Sequence, residues 1–412
     1  MATKFPTILS KKVATSCAVL LGFSVPISTS LDGALLIILI ISALIGWNKQ
    51  YLSSIQHNPV SKVALMLLGV FFVGCFYGIA TPIEGLVVLG KYDDLMLFVL
   101  LLPIFSTSQN RTYGQMAFML AMALTLIISY LIYLKVFQNY TLPFNLQLKG
   151  TPDNPVVFKL HITQGIFMSF AAFMSTVYAL NSTGIKRWAY LLLTILATCN
   201  VLLMTQGRTG YIVIVALALY LALTLSKRNS ILFLLTLAVA FASFTYLPSS
   251  SIKSRIELGI HEGQAWRSSS QESHTTSIGQ RMDFYKNTLE IIKKNLIIGV
   301  GTGGFEKAYT AEVLGKNMPI PANPHNQFLL TWVQTGLVGL LTLMYLFWIG
   351  WREAKKLPSP TDTLLARGLL ITFFIGCLFN SLLLDHAEGL FFAWFGALLF
   401  SGIARSSQIS KR

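Results

Sequence analysis

Charge is what this 412-residue chain has least of: Asp, Glu, Lys and Arg make up only 11% of it, against roughly 25% in ordinary soluble domains. Together with 54% hydrophobic residues, that scarcity excludes a soluble globular protein. Cysteine is also scarce. Cys17, Cys75, Cys199 and Cys377 all stand inside apolar stretches without CxxC spacing, so a disulfide scaffold is excluded and each reads as a small buried hydrophobe. Sustained strand-like alternation is missing too; the apolar residues come in long unbroken runs, the mark of bilayer helices and not of a barrel. There is no internal repeat, no DxD and no HExxH. The expected fold is an all-α polytopic membrane protein.

Apolar runs of about 20 residues predict twelve spans near 12–31, 33–47, 62–80, 86–105, 115–137, 161–180, 188–206, 209–226, 230–247, 327–350, 364–384 and 388–404. The first run follows Lys4, Lys11 and Lys12 in the manner of a signal peptide. A second run follows almost at once, so an uncleaved helical hairpin is expected. The net charge of +15 then resolves by side. With the N-terminus in the cytoplasm, the cytoplasmic segments hold 17 basic and two acidic residues, leaving 14 of the 31 basic and 14 of the 16 acidic residues outside. The whole excess lies on one face, as the positive-inside rule requires. Charge therefore reports topology and predicts no nucleic-acid partner.

This arrangement divides the chain into 1–247, with nine transmembrane helices, a large outer loop over 248–326, and 327–412, with three more helices and a cytoplasmic tail. Within the loop, 249–277 is rich in Ser, Gln, Glu and His and reads as loosely folded. From Ser277 the pattern changes. Ser277-Ile-Gly-Gln280 fits a capping box, and Met282, Tyr285, Leu289, Ile292 and Leu296 recur at helical spacing. An amphipathic helix over 278–298 is expected, ending at Gly299-Val-Gly301-Thr-Gly303-Gly304.

Ionisable residues at outward span ends are the informative ones, because polar groups at membrane depth are costly. Arg208 lies in the short connection Gln206-Gly207-Arg208-Thr209-Gly210-Tyr211. Its plain reading is a snorkelling Arg, but the flanking glycines let a ligand or other backbone come close, which favours anion binding. Arg281 sits one turn into the capped helix, where free N–H groups and the helix dipole already favour an anion. A guanidinium adds a fork suited to phosphate oxygens; the alternative is a surface salt bridge to Asp283 or Glu290. His325, in Pro321-Ala-Asn-Pro324-His325-Asn326, is either an interfacial residue or a general base, since imidazole titrates near neutrality. Asp385, His386 and Glu388 are candidates for the carboxylate that orients it, or for a metal site. Lys159 and His161, at the outward end of another span, are further candidate contacts to phosphate or sugar.

The pattern His325-Asn326, nine residues, then Gly336-x-x-Gly339 resembles the motif of the O-antigen ligases. The Gly-Arg208-Thr-Gly turn, the Arg281 helix ending in Gly299-Val-Gly301, and the large loop before the His are similar in order to the wider ligase and polymerase superfamily. The resemblance covers roughly residues 160 to 400. It implies an inverting, metal-independent glycosyltransferase of the type C class, with no cofactor. The donor would be an undecaprenyl diphosphate-linked glycan and the acceptor a sugar hydroxyl of lipid A core, joined at the periplasmic face of the bacterial inner membrane. It also implies roles: Arg208 and Arg281 clamp the donor diphosphate, and His325 takes the acceptor proton. Gln206, Tyr211, Lys159, His161 and Asn326 become candidate substrate contacts, and Asp385 matches an acidic position of the ligases more loosely.

Rival readings are a glycan polymerase or a protein O-oligosaccharyltransferase of the same superfamily, and, from another class, a transporter of a lipid-linked or anionic solute. Transporters usually bind at the bilayer midplane. Here most span centres are uncharged and the polar groups gather at one face, which favours an enzyme; Lys91, Asp93 and Asp94 are the exception.

Overall fold

The computed structural model describes residues 4–46, 49–136, 150–224, 251–267, 276–316 and 318–403. The chain runs through α1 (Lys4–Ser24), α2 (Thr29–Ile45), α3 (Lys49–Gln56), α4 (Pro59–Gly74), α5 (Pro82–Leu89), α6 (Asp94–Leu101), α7 (Ser108–Tyr133) and α8 (His161–Leu180). It continues with α9 (Gly184–Cys199), α10 (Arg208–Thr224), α11 (Ser251–Arg267), α12 (Ser277–Lys294), α13 (Phe305–Glu312), α14 (Gln327–Glu353), α15 (Pro360–Phe379) and α16 (His386–Phe400). Five described helical stretches, Ser108–Tyr133, His161–Leu180, Gly184–Met204, Gln327–Lys356 and Pro360–Phe379, are long and apolar enough to cross a membrane. Thr29–Ile45, Pro59–Gly74, Arg208–Thr224 and His386–Phe400 are shorter and apolar. The fold is that of a multi-pass helical membrane protein.

Local chemistry explains where the helices start. Asn58, Thr107, Ser359 and Asn326 each accept a backbone N–H of the first turn of α4, α7, α15 and α14, and Pro59 and Pro360 follow two of these caps at positions whose N–H is free anyway. Packing between helices uses small residues and aromatic rings. A Cβ on Gly210 would lie 3.1 Å from the Gly165 Cα, so two glycines set the approach of α8 and α10, as expected where backbones must meet in a bilayer. Phe118, Phe170, Phe391 and Phe395 pack in tilted and edge-to-face pairs within the main core, and the buried Trp394 donates its N–H to the Ala18 carbonyl at 2.6 Å. Ile37, Ile41, Ile195 and Leu341 remain exposed, an apolar outer surface that a bilayer would cover.

Several expectations are corrected. Within the run predicted at 86–105, a 3-10 turn over Gly90, Lys91 and Tyr92 separates α5 from α6, and the buried Tyr92 hydroxyl donates to Gln334 at 3.2 Å. The predicted span at 230–247 lies outside the described residues. In the loop read as loosely folded, 251–267 is the helix α11, while 268–275 also lies outside the described residues. The cap of α12 is Thr276, whose hydroxyl accepts from the Gly279 N–H at 3.1 Å, and not Ser277. On α12 the buried face runs through Phe284, Asn287, Thr288, Ile291 and Ile292, whereas Met282, Leu289 and Leu296 are exposed. The helix turns this way because Phe284, Ile291 and Ile292 join Phe305, Tyr309, Leu330 and Val333 in a second, smaller core.

A glycine-rich strap then ties α12 to α14. Gly336 interrupts α14 with φ 66° and ψ −163°, which leaves the carbonyls of Val333 and Gln334 without their helical donors. The N–H groups of Val300 and Gly301 fill that gap at 2.8 and 2.9 Å, and Leu337 N–H returns a bond to the Leu296 carbonyl at 3.0 Å. Gly299 and Gly301, at φ 71° and 87°, let the strap lie this close. Gly299-Val-Gly301 and Gly336 are thus two halves of one joint.

Candidate functional site

The starts of α8, α10, α14 and α16 and the end of α15 meet at one end of the bundle, under α11 and α12. Contacts fix this: a Cβ on Gly207 would come within 2.6 Å of the His161 carbonyl, and Asn380, just past α15, donates to Thr209 at 3.1 Å. Gly207 therefore lets the start of α10 press against the start of α8. Arg208 is the first residue of α10, with its side chain 31% exposed, so its guanidinium faces out from the helix start.

His325 stands immediately before α14 in the left-handed region, at φ 52°. Three contacts hold it. Its N–H donates to Asn323 Oδ1 at 2.9 Å, Tyr285 Oη donates to its carbonyl at 3.2 Å, and its ring stacks on Phe284 with centroids 6.0 Å apart. Asn323 also accepts from Ser381 at 2.9 Å, which braces this turn against the end of α15. Asn326 caps α14 through its Oδ1 and donates to the Leu378 carbonyl at 3.0 Å. Its side chain is committed to holding the turn.

Arg281 connects the two. It is half-buried on α12, one turn after the Ile278 N–H that Glu262 holds together with Arg208 and one turn before Tyr285, which bonds to the His325 carbonyl. Burial lowers its guanidinium from the ordinary range, Tyr285 opposes that, and Arg208 adds to it; an arginine remains charged nonetheless. The salt bridges weighed against a ligand role do not form, since Asp283 accepts from Trp266 Nε1 at 2.9 Å and Glu290 pairs with Lys293 at 2.7 Å. Burial, and after it the Arg281 charge, lowers the pKa of His325, a direction that favours the neutral form able to accept a proton. Tyr285, one turn beyond Arg281, moves up through burial while Arg281 and Asn326 pull it down.

The expected orienting carboxylate is absent among the described residues. Glu388 accepts from Thr163 at 2.6 Å, and Asp385 interacts with Lys91; Phe284 and Asn323 orient His325 instead. Lys159 lies in the interior beside Gln164, Thr125 and Pro26, where its charge reaches Asp32 and Glu388. It belongs with Asp385 to a second polar group inside the helix ends. Gln206 donates to the Asp153 carbonyl at 3.2 Å and Tyr211 to the Thr205 carbonyl at 2.7 Å, so both shape the turn that presents Arg208. Among the described residues no group of three or more His, Cys, Asp or Glu is placed to hold a metal ion.

The structure thus brings Arg208, Arg281, His325 and Asn326 together, with His161 beside them. Sequence reasoning missed Tyr285 as a polar member, although its spacing of four from Arg281 puts both on one helix face. Glu262 and Asn323 gave no signal at all, because their roles arise only from contacts across elements.

Comparison with known proteins bears on this same region. Residues 191–344 match the model of the O-antigen ligase family, a stretch that includes Arg208, Arg281, His325 and Gly336. An uncharacterized protein of Haemophilus influenzae is 25% identical over 203 residues, 47% of this chain and 50% of that relative; the match spans about half the length of each. Over residues 191–344, then, the chain is similar to the O-antigen ligase family.

Proposed function

We propose that the chain is an inverting O-antigen ligase, which moves a glycan from undecaprenyl diphosphate to a sugar hydroxyl of lipid A core at the periplasmic face of the inner membrane. What supports this reading is that Glu262 links Arg208 to the start of the helix carrying Arg281, while Tyr285, one turn beyond Arg281, bonds to the His325 carbonyl, so that two arginines and a histidine from three elements share one end of the bundle.

In the reaction, a ring nitrogen of His325 takes the acceptor hydroxyl proton as the oxygen attacks the anomeric carbon. The bond from that carbon to the diphosphate oxygen breaks from the opposite side, and its electron pair leaves with the diphosphate. Arg208 and Arg281 hold that developing charge with bonds already oriented, where the protein excludes much of the water. One base and one displacement give inversion. A fixed His needs no carboxylate partner to act once, because Asn323, Tyr285 and Phe284 already hold its turn and ring.

The spacing of His325-Asn326 to Gly336-x-x-Gly339 favours ligase over polymerase. The exposed Met282, Leu289 and Leu296 would rest at the outer leaflet and border a lateral opening for a multi-chain lipid acceptor. Deleting the gene should leave lipid A core unmodified while polyprenyl-linked glycan of normal chain length accumulates. Single repeat units still attached to core would make this protein the polymerase instead.

A further inference from the structure

Glu262 reaches from α11 into the place that the donor diphosphate would take. Its Oε2 accepts from the Ile278 N–H at 3.3 Å and lies 3.5 Å from Arg208 Nη1. The side chain is only 10% exposed. Thr276 satisfies the next N–H, that of Gly279, so one carboxylate holds both a free donor of the first turn of α12 and the guanidinium opposite. Helix-start N–H groups and a guanidinium fork are the two protein groups best suited to phosphate oxygens.

The charges at this point are unbalanced. Among the described ion pairs Glu262 is the one carboxylate on Arg208, and Arg281 follows one turn after the Ile278 N–H that the same carboxylate holds. A diphosphate diester carries one charge on each phosphate, so it matches two guanidiniums where a carboxylate matches one. The Trp266–Asp283 hydrogen bond at 2.9 Å also joins α11 to α12, and Gly259 allows its backbone to approach Ile278, with 3.4 Å from a built Cβ to the Ile278 Cδ1.

We propose that Glu262 is a resident stand-in for the donor diphosphate, which keeps α11 closed over the Arg208–Arg281 pair until a ligand of higher charge displaces it. The idea rests on the diphosphate reading of the site. Displacement then costs every donor one charge-assisted bond, and only a ligand that engages both guanidiniums recovers it. Donor arrival and the opening of α11 become one event.

The test measures binding of synthetic farnesyl diphosphate glucose to the full chain in lipid nanodiscs. Glu262→Gln keeps the shape and removes the competing charge, so it should bind roughly tenfold tighter than the parent protein, the size of one lost charge-assisted contact. A second variant locks the helix. Gly259→Cys with Ile278→Cys, in a background without the four native cysteines, is joined by a short bifunctional thiol reagent; the joined form should bind at least several-fold more weakly than the same protein before joining. Unchanged or weaker binding by Glu262→Gln, with no effect of joining, would mean that Glu262 positions Arg208 and would overturn the stand-in. Absence of binding in every form, including one with Arg208→Ala as the reference, would bring down the diphosphate reading and this proposal with it.

Discussion

At φ 52° His325 occupies a backbone region that costs a non-glycine residue about 1–2 kcal/mol, and strain of this kind persists where surrounding contacts over-determine it. Those contacts are the bonds from His325 N–H to Asn323 and from Tyr285 to the His325 carbonyl. A base held this way should be dispensable for binding and required for transfer. His325→Ala should lower turnover by roughly 10³-fold, within the usual range for a lost general base, with donor affinity kept; equal losses in both would argue against a proton-transfer role. The pH dependence follows from sign. Because the folded pKa is lowered from 6.5, the base form is lost only as the pH falls below the ordinary histidine range, and kcat/KM should decline there. Arg281→Gln removes one of the two causes, so in its residual activity that limb should move to higher pH. An unmoved limb would disconnect the two residues. For the guanidiniums the planar fork matters as well as the charge: Arg208→Lys or Arg281→Lys should cost about 10²-fold in transfer, the scale of one lost oriented donor, and near-normal rates in both would reduce the clamp to general electrostatics.

Among the elements, the joint between the glycine strap and α14 decides whether Arg281 and His325 keep their distance, since one stands on α12 before the strap and the other at the start of α14. A Cβ on Gly336 would collide with the Ile297 carbonyl at a φ of 66°. Gly336→Ala should therefore destabilise the protein by at least 1–3 kcal/mol, the cost of one strained residue, read as a fall in thermal unfolding temperature. Gly69→Ala in α4, where a Cβ meets nothing within 4 Å, should be close to neutral; similar losses from both would show that α14 repacks around an unbroken helix. Much of this level was legible beforehand. Apolar length gave α7, α8, α14 and α15, and the glycine run after α12 marked the strap, although α12 itself ends at Lys294, short of the expected 298. What periodicity missed has a common cause. The break between α5 and α6, the rotated face of α12 and the docking of α11 each depend on a partner from elsewhere in the chain, such as Gln334 for the Tyr92 hydroxyl, Tyr309 for Phe284, or Arg208 for Glu262. Likewise Arg208, Arg281 and His325 were readable as rare ionisable groups at span ends, whereas the carboxylates offered to orient His325 were read from position alone: Glu388 is engaged with Thr163, and Asp385 lies by Lys91.

For the whole molecule, the positive-inside rule applied to this sequence predicts that the helix starts carrying Arg208 and His325 face away from the cytoplasm. A cysteine replacing the exposed Lys316, in a background without native cysteines, should react with an impermeant thiol reagent in intact spheroplasts, and one replacing the exposed Lys186 should not. The reverse pattern would invert the topology. Such a topology joins two lipid-borne substrates at one surface, and the central claim is that Arg208, Arg281 and His325 carry out the transfer there. The most direct test supplies the purified chain with radiolabelled undecaprenyl diphosphate-linked glycan and lipid A core in the presence of excess chelator. The account predicts label on the lipid A core with wild type and none with His325→Ala. Label that stays on the carrier as longer glycan, or transfer that ceases in chelator and returns with a divalent ion, would contradict it.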